Sequence, residues 1–228
     1  MDPILREQID YYRARADQYD DWWLRRGEYE LPPDLQARWF DDVAEVEQAL
    51  HHFAPAGRVL ELACGTGLWT RHLVTHADQV TAIDASPEVI EINKARTRDP
   101  RVEYVVDDVF TWRAVPAAYD SVVFGYWLSH VPDSRLAAFW SGVESALKAG
   151  GRVFLVDSAA YPPSGPPAPG GRPEQRRLHD GRTFHIAKRY WRPAELEEFL
   201  AGLGWQCEAR LTGNDMILYA EVRPGRAG

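Results

Sequence analysis

The sequence predicts one α/β domain built on a parallel sheet, with extra helix ahead of it and an antiparallel hairpin at its end. Residues 59–70, VLELACGTGLWT, carry the first sign: an apolar run, an acidic residue, a glycine turn and the start of a helical pattern. Strand-length apolar runs recur at 79–83, 102–106, 119–124 and 152–156, with helical segments between them. The third sign is the ending, where runs at 205–211 and 216–222 flank Thr212-Gly213-Asn214-Asp215, a hairpin turn. A chain of 228 residues suits one such domain with a sizeable core and leaves little room for a second.

Composition narrows the function classes. The 45% hydrophobic fraction and the spread of aromatics describe a globular protein. Net charge is -8, so general attraction to nucleic-acid phosphates is not expected. Arg172, Arg176, Arg177 and Arg182 read either as a local basic patch or as a solvated loop. The only cysteines, Cys64 and Cys207, make neither a disulfide framework nor a zinc cluster, and no metal is expected. Cys64 sits where the glycine turn needs a small residue, which reads as packing. With no apolar run of about 18 residues and no basic-then-apolar start, no membrane partner is expected, and the cytoplasm is the expected location.

Two helices are predicted before the first strand. Tyr12, Ala16, Tyr19 and Trp23 recur at helical spacing on the first, and such an aromatic stripe, taken alone, reads as core packing. Leu31-Pro32-Pro33 breaks the pattern. Asp34 is placed to cap a second helix whose stripe is Leu35, Trp39, Val43, Val46, Leu50 and Phe53.

The glycine turn is where chemistry is expected. Val59, Leu60 and Leu62 suit a buried parallel strand, while Gly65 and Gly67 allow close ligand approach. Such a loop brings backbone N–H groups and a helix start to a bound cofactor. The dinucleotide fingerprint G-x-G-x-x-G looks similar, but here Thr70 stands at the third glycine, and Glu61 lies four positions ahead of Gly65. A helix over 68–77 and the strand at 79–83 lead to Asp84, placed to accept hydrogen bonds from two ribose hydroxyls, while Asp84 or Ser86 also suits a cap on the helix from Pro87. Asp107-Asp108-Val109 follows the third strand, and Gly125-Tyr126-Trp127-Leu128-Ser129-His130 the fourth. A helix over 133–148 stops at Ala149-Gly150-Gly151. Residues 161–173 are rich in proline and glycine and read as a surface loop or a mobile lid. Alternation over 182–190 predicts a short strand with Phe184 and Ile186 inward, and a helix spans 193–203.

Glu61-x-x-x-Gly65-x-Gly67, with Asp84 and Asp108 after it, resembles the motifs of class I S-adenosylmethionine-dependent methyltransferases, and the likeness runs from about Tyr11 to Val222. The resemblance implies a Rossmann-like α/β fold whose seven-stranded sheet has the order 3-2-1-4-5-7-6, the last strand antiparallel. It implies an N-terminal helical lid over 1–56 and a core over 57–228, with 161–182 an insertion. It implies cofactor contacts at Tyr19, Glu61, Ala63, Gly65, Gly67, Asp84, Ala85, Asp108, Val109 and Gly125, with Glu61 helping to hold the ammonium group. The family's usual glycine before the aspartate is Asp107 here, which leaves open which carboxylate faces adenine.

The segment around His130 lacks the Asn/Asp-Pro-Pro-aromatic motif of enzymes acting on nucleic-acid amino groups, and resembles the small-molecule branch, of ubiquinone/menaquinone-like or natural-product-tailoring type. Methyl transfer to a small, apolar or aromatic acceptor is thereby implied, oxygen favoured over nitrogen or carbon, with S-adenosylhomocysteine as product. Trp22, Trp23, Tyr126, Trp127, His185 and Tyr190 are the expected acceptor contacts. His130 is the candidate general base, because its unperturbed pKa lies near neutrality, with a structural role as the alternative. A protein or RNA methyltransferase, a non-catalytic S-adenosylmethionine-binding protein and a NAD-dependent reductase are the rival readings, and a homodimer stays open.

Overall fold

The structure, a computed structural model, describes residues 3–160 and 172–225. Its seven-stranded sheet comprises β1 (Gly57–Leu62), β2 (Ala77–Asp84), β3 (Val102–Val106), β4 (Tyr119–Gly125), β5 (Leu147–Ser158), β8 (Trp205–Leu211) and β9 (Ile217–Pro224), while β6 (Arg172–Arg177) and β7 (Thr183–Lys188) pair apart as a hairpin. Sheet order is β3-β2-β1-β4-β5-β9-β8, with β9 antiparallel to both neighbours. Counted within the sheet alone, this is the order 3-2-1-4-5-7-6 that the family resemblance implied. The order reverses between β1 and β4, and in open α/β sheets the crevice beyond the carboxyl ends at such a point receives ligands.

Helices cover both faces. On one, α3 (Pro33–Phe53), α4 (Thr70–Leu73) and α5 (Pro87–Thr97) bury Trp39, Leu50, Leu73 and Ile90 against Val59, Val80 and Phe154. On the other, α6 (Asp133–Ala146) and α7 (Pro193–Gly202) bury Leu136, Trp140, Leu196 and Leu200 against Leu60, Val122 and Leu155. Asp42 of α3 ties the turn of the closing hairpin. Its carboxylate accepts from the Thr212 hydroxyl (2.6 Å) and from the N–H groups of Asn214 (3.0 Å) and Met216 (3.1 Å).

The N-terminal segment departs from the expected single helix. It forms α1 (Pro3–Ala14), a 3-10 turn (Ala16–Gln18) and α2 (Tyr19–Trp23). Arg15, at φ -103° and ψ 3°, leaves helical geometry, and the break sends residues of one sequence stripe to different places. Trp23 enters the core beside Trp39 and Trp69, whereas Tyr12 and Tyr19 turn toward the crevice, their ring centroids 6.0 Å apart. Gln8 holds α1 to the hairpin, accepting from Ala187 N–H (3.1 Å), and Tyr11 packs on Phe184.

Other boundaries shift for local reasons. Pro32 takes the cap position expected of Asp34, without a side-chain bond. The helix expected over 68–77 shrinks to α4, because Thr75 Oγ1 bonds the His72 carbonyl (2.7 Å) and successive tight turns lead straight into β2. Most of the proline/glycine stretch expected as a loop or lid, 161–171, lies outside the described residues.

Candidate active site

The glycine loop is held from behind by a buried polar chain. Thr70 Oγ1 donates to Glu61 (2.7 Å), and Asn93 Nδ2 donates to Thr70 Oγ1 (2.8 Å) and to the Gly65 carbonyl (3.3 Å). Tyr104 and Thr97 hydroxyls in turn donate to Asn93 Oδ1, each at 2.9 Å. Gly67 is required here. Its φ is +88°, and a Cβ at that position would lie 2.4 Å from Asn93 Oδ1. Glu61 is 1% exposed, and burial pushes its carboxyl up to about 8 despite the Thr70 bond.

In front of the loop a cleft runs over the carboxyl ends of β1, β2 and β4. Asp84 closes one side: its two oxygens accept from Gly65 N–H and Ser86 N–H, each at 2.9 Å, and burial pushes its carboxyl above the usual range. Ala63 and Tyr126, at φ +51° and +55°, both line this cleft in backbone geometry uncommon for residues with side chains. Asp108 and Val109 line it, while Asp107 does not. The Tyr19 ring covers Gly65, 3.6 Å from where its Cβ would be, and Leu5, Ile9 and Tyr12 complete the roof. Asp20 fastens that roof to the loop, its carboxylate accepting from Thr66 Oγ1 and Arg96 Nη2.

Beside the cleft lies a cavity of about 310 Å³. Tyr12, Tyr19, Tyr126 and His130 belong to the walls of both spaces. His130 Nδ1 lies 2.8 Å from the Ala187 carbonyl, which only accepts, so Nδ1 carries the proton. Its Nε2 therefore accepts from the Tyr12 hydroxyl at 2.8 Å. Burial pushes the His130 pKa well below the usual value, and the Lys188 ammonium pushes it the same way. The imidazole is neutral and already occupied at both nitrogens.

The methyltransferase domain family matches residues 59–151. A ubiquinone biosynthesis O-methyltransferase of Xanthomonas axonopodis pv. citri (strain 306) is 31% identical over 207 residues, 89% of this chain and 82% of the relative. The corresponding protein of Xanthomonas euvesicatoria pv. vesicatoria (strain 85-10) is 34% identical over the same coverage. The chain belongs to the class I S-adenosylmethionine-dependent methyltransferases, in their small-molecule branch. Among solved structures, a DhpI-SAM-HEP complex is 37% identical, covers 98% of this chain and 99% of its own, and superposes with a TM-score of 0.80. The DhpI-SAH complex gives 38%, 98% of both chains and 0.79.

The cleft of this methyltransferase fits the cofactor chemically. Asp84 keeps free lone pairs after its two N–H bonds, enough for ribose hydroxyls, and Val89, Val109 and Phe110 offer apolar surface to a purine. Trp127 Nε1 and Tyr126 Oη are buried without partners, the condition of groups awaiting a ligand.

Eight of the ten cofactor positions expected from the sequence line the cleft: Tyr19, Ala63, Gly65, Asp84, Ala85, Asp108, Val109 and Gly125. Glu61 and Gly67 do not; they stand behind the loop and shape it. Of the acceptor positions, Trp22, Tyr126 and Tyr190 line the cavity, and Trp127 lines the cleft instead. Trp23 is core, 3% exposed. His185 faces outward, where Glu7 Oε1 accepts from its backbone N–H (2.6 Å). Missed altogether as site residues were Tyr12, Arg15, Arg176 and Lys188 of the cavity wall. For Lys188 a signal existed, since strand alternation puts it on the face of Phe184 and Ile186 and puts His185 on the other.

Proposed function

We propose that this chain transfers the methyl group of S-adenosylmethionine to an oxygen atom of a small acceptor bound in the 310 Å³ cavity. One observation carries the reading: the cofactor cleft and the cavity share the walls Tyr12, Tyr19, Tyr126 and His130, so ligands in the two spaces would face each other there. The preference for oxygen is supported by the O-methyltransferase relatives at 31% and 34% identity.

When bound, S-adenosylmethionine supplies a methyl group already activated on a sulfonium, which leaves the protein mainly to align and to exclude water. Asp84 and Asp108 would fix the nucleoside end. Tyr19 and Tyr126 hold the junction, and α1 with α2 closes over it, which gives the N-terminal segment the role of a lid that opens for exchange. His130 orients the Tyr12 hydroxyl through its Nε2. As a positioning residue it has no need to take a proton, and its lowered pKa opposes doing so.

The test is turnover of purified protein with S-adenosylmethionine and a panel of hydroxyl, carboxyl, amine and thiol acceptors, read as S-adenosylhomocysteine release and as product mass. Methylated oxygen products are expected. Release only with amines or thiols would refute the oxygen assignment, and tight S-adenosylmethionine binding with no release across the panel would make the chain a non-catalytic binder.

A further inference from the structure

The wall of the acceptor cavity has a charge that the rest of the chain does not. Arg15, Arg176 and Lys188 line it, no Asp or Glu does, and the whole protein carries net charge -8. Positive charge here is local. Two regions distant in sequence deliver it: the junction after α1 and the β6–β7 hairpin.

Two of the cations are compensated from outside the wall. Lys188, 8% exposed, has its Nζ 3.7 Å from Asp157 Oδ1 and donates to Ser129 Oγ at 2.8 Å. Arg176 pairs with Glu174 at 2.6 Å. Arg15 has no carboxylate partner among the described residues. Its Nη1 donates to the Tyr11 hydroxyl at 3.2 Å, and its guanidinium faces the rings of Tyr11, Tyr19 and Tyr29, centroids 5.3 to 5.8 Å away. Its Nη2 is buried and makes no hydrogen bond. A guanidinium is never neutralised by losing its proton, so a buried unpaired N–H on it calls for an anion.

The wall adds donors suited to the same ligand. The hydroxyls of Tyr29, Tyr190 and Ser158 stand around the cavity, and a guanidinium fork with hydroxyls beside it matches the oxygens of a carboxylate or phosphoryl group. A neutral apolar acceptor would leave the buried Arg15 Nη2 without a partner, and an unpaired buried charge is a strong form of rejection.

We propose that the acceptor is an organic anion, a carboxylic or phosphorus oxyacid, whose charged oxygens are held by Arg15, Arg176 and Lys188 in this cavity. The proposal rests on the cavity being the acceptor site of the reading above.

Binding is tested apart from turnover. The protein is saturated with S-adenosylhomocysteine, and benzoate, phenyl phosphate and neutral benzyl alcohol are titrated by calorimetry. At least one anion binds and the alcohol binds at least about tenfold more weakly; whichever anion binds tighter identifies the oxyacid class. Arg15→Gln weakens the preferred anion about tenfold or more, the loss of a charge-assisted bond. Should Arg15→Gln fail to fold by circular dichroism, Arg176→Gln replaces it. Equal binding of alcohol and anions, absence of anion binding, or anion affinity unmoved by the substitution overturns the proposal. Anion binding without any methyl release instead refutes the methyl-transfer reading and leaves the anion site standing. Turnover confined to neutral acceptors does the reverse.

Discussion

Gly67→Ala is expected to damage both stability and cofactor binding without touching a ligand. Two costs follow from the geometry. Holding alanine at φ +88° costs about 1–2 kcal/mol. The new methyl would stand 2.4 Å from Asn93 Oδ1, and Asn93 has little freedom, because its amide joins Thr70, the Gly65 carbonyl, Tyr104 and Thr97. Displacing it forfeits two or three of those buried bonds at roughly 1 kcal/mol each. The sum is about 3–5 kcal/mol, and for a chain of this size each kcal/mol lowers the melting temperature by about 2–4 °C. Calorimetric melting should therefore fall by roughly 6–20 °C, with weaker S-adenosylhomocysteine binding because the loop no longer presents Gly65 to Asp84. In an Asn93→Ala background the collision is gone, and Gly67→Ala should cost only the backbone part, about 1–2 kcal/mol. A melting change within about 2 °C and unaltered affinity in the native background would refute the role assigned to this contact.

The other predictions concern charge and the lid. Glu61 has a folded pKa of about 8 against an ordinary value near 4.3, so the stability it confers when protonated is complete below that ordinary value and is lost as pH rises toward 8. Glu61→Gln should therefore flatten the fall in melting temperature of the ligand-free protein between about pH 4.5 and 8, and an unchanged slope would contradict the burial argument. Asp20→Ala removes the acceptor shared by Thr66 and Arg96, and should speed hydrogen exchange in α1 and α2 and S-adenosylhomocysteine release by up to about tenfold. Tyr12→Phe and His130→Ala should each lower turnover and be clearly non-additive together, since His130 acts through the Tyr12 hydroxyl. A pH-rate profile lost only in His130→Ala would restore it as a base.

What could be read in advance is what the backbone and the strand ends impose. Gly65 and Gly67 are legible because the turn excludes other residues, and Asp84 and Asp108 because each follows a recognisable strand at a fixed remove from the glycine turn. The closing hairpin was legible from its turn residues, and with it the reversed strand β9. Trp22 and Trp23 show the opposite case. They are neighbours on a five-residue helix, and whether the first lines the cavity while the second fills the core depends on the break at Arg15, which no hydrophobic period records. Glu61 was legible as part of the motif but not as a group turned away from the cleft, because that depends on Thr70 and Asn93 reaching it from two other elements.

The cationic wall was illegible for a related reason, and the same reason gives it meaning. Arg15 looks like a solvated surface charge in sequence and Arg176 reads as basic patch or loop alike; the β6–β7 hairpin carries Arg176 and Lys188, and the docking of α1 on it adds Arg15. That docking also roofs the cofactor cleft. Tyr12 and Tyr19, which flank Arg15 in sequence, line cleft and cavity alike, and Gln8 and Tyr11 fasten the same stretch to β7. On the lid motion proposed above, the N-terminal segment would leave the cofactor cleft and carry Arg15 away from Arg176 and Lys188 together. The proposed set of anion donors would then be complete only with the lid closed, which would confine acceptor recognition to the state in which water is excluded from the junction of the two chambers.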